Sequence, residues 1–131
     1  MSGKIVALAM AAHPDDVEFM MSGTLLLLRR AGVETHICNL ANGCYGSQVY
    51  SKADAARVRA LEAQAAARVA DAVWHPSLFD DTGIFYDAPS LAKVTAIIRR
   101  IKPDIVLTLS RYDYMEDHEY ASRLTSSALF N

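Results

Sequence analysis

Apolar residues along the chain fall into two kinds of segment: short, near-continuous runs, and longer stretches where they recur at helical spacing. Ile5 to Met10 is the first run, and its lack of alternation predicts a strand covered on both faces. Thr35 to Leu40 predicts a second strand, Ala72 to Trp74 a short third that His75-Pro76 ends, and Ile105 to Leu109 a fourth of the buried type. Between them, Ser22 to Ala31 predicts a helix stopped by Gly32, and Ala53 to Val73 an alanine-rich helix free of Gly and Pro. Ser90 to Ile101 predicts an amphipathic helix closed by Pro103, and a last helix is expected from about Asp117 to the chain end.

This alternation predicts an α/β fold, a Rossmann-like three-layer α/β/α arrangement around a mostly parallel sheet, as one domain over residues 1–131. Right-handed crossovers should connect the strands, with Ile5 to Met10, Thr35 to Leu40 and Ile105 to Leu109 in the interior. The C-terminal part is expected to be incomplete, because Leu124, Leu129 and Phe130 sit at helical spacing and nothing follows Asn131 to cover them. They should be exposed or buried against another copy, which admits a homo-oligomer. Lys4 followed by Ile5 to Ala12 imitates a secretory leader, but one ending beside His13-Pro14-Asp15-Asp16 would be shorter than usual, so a buried strand is expected. Leu25 to Leu28 runs straight into Arg29-Arg30, whereas a membrane span needs about 20 apolar residues.

Composition narrows the partner. With 52% apolar against 21% charged residues the chain can build a core, which excludes intrinsic disorder. Thirteen Lys and Arg against fifteen Asp and Glu give a net charge of −2, with no footprint for nucleic acid or an anionic membrane. A small molecule is the expected partner. Cys38 and Cys44 match neither a CxxC nor a disulfide-dense pattern, which predicts a reducing, cytoplasmic setting.

Two clusters carry candidate chemistry. His13-Pro14-Asp15-Asp16 directly follows the first strand, at the sheet edge where open α/β folds bind ligands. An imidazole and a carboxylate three residues apart can reach one cation, and two adjacent carboxylates can take different tasks; helix capping by the aspartates is the plain alternative. Asp113-Tyr114-Met115-Glu116-Asp117-His118 follows the fourth strand and should reach the same edge. Two histidines and a carboxylate make a facial ligand set for a divalent metal, although His118 could equally just begin a helix. His36 and His75, one on a strand and one before a proline, are expected to lack carboxylate company and to stand outside any site.

In chain order, Ala12-His13-Pro14-Asp15-Asp16-Val17-Glu18, the loop Asn42-Gly43, Arg59-Ala60-Leu61-Glu62-Ala63, Pro103-Asp104-Ile105-Val106-Leu107 and Asp117-His118 resemble the LmbE-like or PIG-L-type zinc-dependent N-acetylglucosaminyl deacetylases. The resemblance runs from the chain start to about residue 122, and its first motif is the most specific. It implies a metal site of His13, Asp16 and His118, with Asp15 as general base and Asp117 behind the ligands. Zn2+ is the implied metal, Fe2+ the alternative; the implied substrate is a small N-acetyl amino sugar or glycoconjugate facing Asn42, Gly43 and Arg59. Zinc held by three protein ligands lowers the pKa of its water to roughly 7, and an adjacent carboxylate can take the proton as the amide is attacked.

One position departs from the family pattern. Many members carry a histidine three residues before the last ligand; this chain has Met115, whose thioether neither donates nor accepts a proton there. Asp15, Tyr112 and Tyr114 remain as alternatives for the proton and oxyanion work. Arg59 could instead pair with Glu62 or Asp71 along its helix, and Asp80-Asp81 reads as a turn from which one carboxylate could line the site. Among rival functions, a dinucleotide fold lacks its G-x-G-x-x-G after the first strand. A non-haem Fe(II) oxygenase would use the same ligands without needing Asp15, and a non-catalytic sugar-binding remnant would explain Met115.

Overall fold

The structure is a computed structural model that describes residues 3–131. These form four strands, β1 (Val6–Ala11), β2 (Glu34–Asn39), β3 (Val73–His75) and β4 (Ile105–Thr108), all in one parallel sheet. Five helices connect or follow them: α1 (Asp16–Met20), α2 (Ser22–Arg30), α3 (Lys52–Val69), α4 (Ala88–Ile101) and α5 (Glu116–Ala128). The α/β class and parallel sheet expected from the alternation are therefore present.

Local chemistry sets the helix ends. Ser51 accepts from the Asp54 amide at the start of α3, and Asp87 accepts from the Ser90 amide at the start of α4, where Pro89 sits in the first turn. Gly32, at φ 87°, ends α2 while its amide and that of Val33 return to the Arg29 and Leu28 carbonyls. The helix over Ser22 to Ala31 is preceded by α1, a separate short turn that the sequence pattern does not reveal. The break lies at Met21, and the Ser22 hydroxyl donates to the Glu18 carbonyl at 2.7 Å.

The strand order is β3-β2-β1-β4. The chain moves outward from β1 through β2 to β3, then returns across the sheet to the far side of β1. With this order, the right-handed rule for parallel crossovers assigns the α2 and α3 connections to one face and α4 to the other. The direction reverses between β1 and β4, and in open α/β sheets the crevice beyond the strand carboxyl ends at such a reversal is the ligand site.

β1 is the centre of the core, with Ala7, Leu8, Ala9, Met10, Ala11 and Ala12 all fully buried. Its small alanines let backbone and helix approach closely, while Leu8, Met10, Leu25, Leu40, Val94 and Leu124 fill the layers around it. β4 departs from the expected interior placement. Among the described residues it is the sheet's edge, and its side chains are half-buried. An edge strand and a central strand covered by helices share the same apolar composition, so the run alone does not separate them. Leu124 is likewise not part of an uncovered face: it is fully buried, Leu129 is half-exposed, and Phe130 lies outside α5 at 94% exposure.

The two histidines set aside above form a pair. His36 Nδ1 and His75 Nε2 are 2.8 Å apart across β2 and β3, and His36 Nε2 stands 3.0 Å from Glu34 Oε1. The expectation that neither has carboxylate company is corrected for His36, because Glu34, two residues earlier on the same strand, projects from the same face. Among the described residues no helix is long and apolar enough to cross a membrane.

Candidate metal centre

The carboxyl end of β1 delivers His13 to Asp16 through a tight turn, and the segment after β4 delivers Asp113 to His118 onto the first turn of α5. Because β1 and β4 are paired neighbours, the two segments meet at the sheet reversal. Asn39, a fully buried polar residue at the end of β2, donates its amide to the His13 carbonyl and ties the turn to the next strand.

His13, Asp16 and His118 converge there, each offering a ligand atom within 4.8 Å of the others. His118 Nε2 lies 3.3 Å and His13 Nδ1 3.6 Å from the same oxygen, Asp16 Oδ2. Three donors each about 2.1 Å from one ion would stand at about these separations in tetrahedral geometry, so the donor set fits a divalent cation. The outward nitrogens are also engaged. His13 Nε2 faces Asp117 Oδ2 at 2.8 Å and His118 Nδ1 faces Asp113 Oδ2 at 3.1 Å. A carboxylate on the outer nitrogen fixes the tautomer that presents a bare nitrogen inward, the arrangement typical of metal-bound histidine.

The electrostatics point the same way. Burial pulls the His13 imidazolium down, but Asp16 and Asp117 outweigh it and hold its pKa at about 9. Burial pushes the Asp16 carboxyl up, yet the His13 side chain and amide, with His118, bring it below its ordinary value. The carboxylates facing His13 thus favour positive charge at the centre of the cluster. Asp113 is also held low, first by the Met115 amide that donates to it at 3.0 Å.

Asp15 behaves differently from its neighbour. It occupies the N-cap position of α1 at φ 107° but makes no side-chain capping bond, which removes the simple helix-cap explanation for this carboxylate. Its side chain is half-exposed at the wall of a cleft of about 650 Å³ that also contains the three convergent residues. Arg59 from α3 donates to Asp15 Oδ2 at 2.9 Å and to Glu62 Oε2 at 2.6 Å; Asp71 pairs instead with Arg29.

Gly43 and Arg59 line the same cleft. Asn42 is tied into the loop: its Nδ2 donates to Asp80 and its Oδ1 accepts from the Cys44 amide. Asp81 secures that loop by accepting from the Gly43 amide at 2.7 Å and the Tyr45 amide at 2.9 Å. Ile84, Phe85, Met115 and Tyr120 add apolar surface to the cleft; Tyr114 also lines it and Tyr112 is not among its lining residues. Sequence reasoning missed Asn39 and the orienting role of Asp113. Asp113 lay within the second cluster, but which nitrogen of which ring it meets depends on how the turn closes.

The chain matches the family model described as PIG-L, GlcNAc-PI de-N-acetylase, over residues 8–129. Among solved structures it is similar to N,N'-diacetylchitobiose deacetylase from Pyrococcus horikoshii, at 26% identity and TM-score 0.89, covering 95% of this chain and 49% of that one. It is also similar to 4-carboxy-2-hydroxymuconate hydratase from Pseudomonas putida, at 26% identity and TM-score 0.87, covering 96% and 56%. A conserved protein from Thermus thermophilus is 30% identical with TM-score 0.83, covering 95% and 55%. The chain therefore spans about half the length of these structures.

Proposed function

The chain belongs to the PIG-L, or LmbE-like, family, and from that membership we propose that it is a metal-dependent amide hydrolase removing the acetyl group from an N-acetylglucosamine-type amino sugar or conjugate. The observation that carries this reading is the convergence of His13 and His118 on Asp16, each ring backed by its own carboxylate. His13, Asp16 and His118 would hold the ion, and Zn2+ suits two imidazoles and a carboxylate. A bound divalent ion supplies polarisation of the amide carbonyl and a more acidic water.

The chain's own residues do the rest. Asp15 takes the water proton: Oδ2 is held by Arg59, and Oδ1 has no hydrogen-bond partner among the described residues. Once protonated, Asp15 returns that proton to the departing amine, a task Met115 cannot share. Tyr114, which lines the cleft, is the tyrosine suited to donate to the developing oxyanion; Tyr112 is not. Gly43 forms the lip along which the sugar lies, on a loop that Asn42 helps to hold, and Arg59 lines the cleft beside it from α3. Free thiols at Cys38 and Cys44 agree with a cytoplasmic setting.

A second reading is addition of water to an unsaturated acid, favoured by the equal identity to the Pseudomonas putida hydratase and by the apolar Met115. Incubating zinc-loaded protein with a panel of N-acetyl amino sugars and measuring released acetate tests the first reading. Loss of the conjugated absorbance of a hydroxymuconate, without acetate release from any sugar, would replace it with the second.

A further inference from the structure

Asp15 and Arg59 come from segments 44 positions apart, and three observations tie them together. Asp15 holds a positive φ of 107°, a backbone conformation that L side chains rarely adopt and that needs surrounding contacts to persist. Arg59 supplies such contacts. Its Nη2 donates both to the Pro14 carbonyl and to Asp15 Oδ2, gripping the turn through backbone and side chain at once. At the other branch of the guanidinium, Nη1 donates to Glu62 at 2.6 Å, which anchors the planar fork on its own helix.

Gly43 makes this reach geometrically feasible. A Cβ at position 43 would stand 2.9 Å from Arg59 Cγ and 3.1 Å from its Cβ, so the arginine stem runs through space that only glycine leaves open. The φ of 76° at Gly43 excludes most other residues for a second reason.

We propose that Arg59 is a positioning residue that acts on the reaction through Asp15, fixing one carboxylate oxygen so that the other faces the reacting water. The assignment rests on the deacetylase reading for its kinetic effect but not for the contact itself. A residue that only bound substrate would have no use for the Pro14 carbonyl, and a lysine in its place could not engage both acceptors with fixed geometry. Misplacing a reacting group by about 1 Å can cost about 10²-fold in rate.

The test uses the zinc-loaded full chain as wild type, Arg59→Lys, Asp15→Asn and the double variant, with zinc content measured for each and acetate release from N-acetylglucosamine followed. Arg59→Lys should lower kcat by about 10- to 100-fold with KM changed by less than about threefold and zinc content unchanged. In the Asp15→Asn background the same change should cost no further rate. Gly43→Ala, which obstructs the arginine without removing its charge, should reproduce the kcat loss. Thermal unfolding of the four proteins should be non-additive by about 2 to 4 °C. A raised KM at unchanged kcat, rate losses that multiply in the double variant, or additive thermal shifts would each overturn the proposal. If wild type releases no acetate, the deacetylase reading fails on its own, and the thermal cycle still decides whether Arg59 holds Asp15.

Discussion

His13 Nε2 meets Asp117 Oδ2 at 2.8 Å although 104 positions separate the two residues. The same carboxylate oxygen accepts from the Thr82 amide at 2.8 Å, so one buried group joins the turn after β1, the loop before α4 and the start of α5. Asp117 thereby sets which nitrogen of His13 points inward.

From this relationship, Asp117→Asn should weaken metal binding by about 10- to 100-fold while leaving the ligand set formally complete. Competition with a chromophoric chelator reads this directly. Unchanged zinc affinity would mean that the outer carboxylate has no orienting effect.

The two adjacent aspartates should separate cleanly. Asp16→Asn should lose metal, since it removes the oxygen that both histidines approach. Asp15→Asn should keep metal and lower kcat by about 10² to 10⁴. Zinc stoichiometry paired with acetate release measures both, and equal zinc loss in the two variants would collapse the distinction.

Met115 lies on the cleft wall one turn before His118. Met115→His should raise acetate release, because an imidazole there can exchange a proton with the leaving amine where a thioether cannot. An unchanged rate would leave Asp15 carrying both proton transfers.

His75 offers a pH prediction away from the metal centre. Burial, then the neighbouring His36 and Arg100, hold its pKa below the ordinary 6.5. Near pH 6 the unfolded chain therefore binds more protons at this residue than the folded one. The contribution is fully present above pH 6.5 and is lost as pH falls from there toward the lowered folded value. Urea unfolding at pH 7.5 and 5.5 should show wild type losing more stability on acidification than His75→Asn; equal losses would exclude this origin.

Much of the frame was legible because the runs over β1 and β4 are short and apolar, β2 carries β-branched Thr35 and Ile37 between turn signals, and longer helical stretches separate them. The two convergent histidines, His13 and His118, were legible because each follows a strand run or its exit loop. The edge position of β4 was not, since strand order follows from the direction of crossovers that no single segment encodes. α1 was hidden because Met21 interrupts the helical path without Gly or Pro. The partner of His36 was overlooked although Glu34 stands two residues away, the spacing that puts side chains on one face of a strand.

The reversal between β1 and β4 divides labour between rigid and replaceable parts. The residues that would grip the ion hang from paired strand ends and the α5 start, whereas the wall at Ile84 and Phe85 belongs to a loop that supplies no donor atom to the cluster and meets it through the Thr82 amide on Asp117. Loops of this kind can lengthen, shorten or exchange side chains without moving the strand ends. The architecture is in that sense modular: one fixed anvil can serve differently shaped compounds, and altering what is bound need not rebuild what does the work.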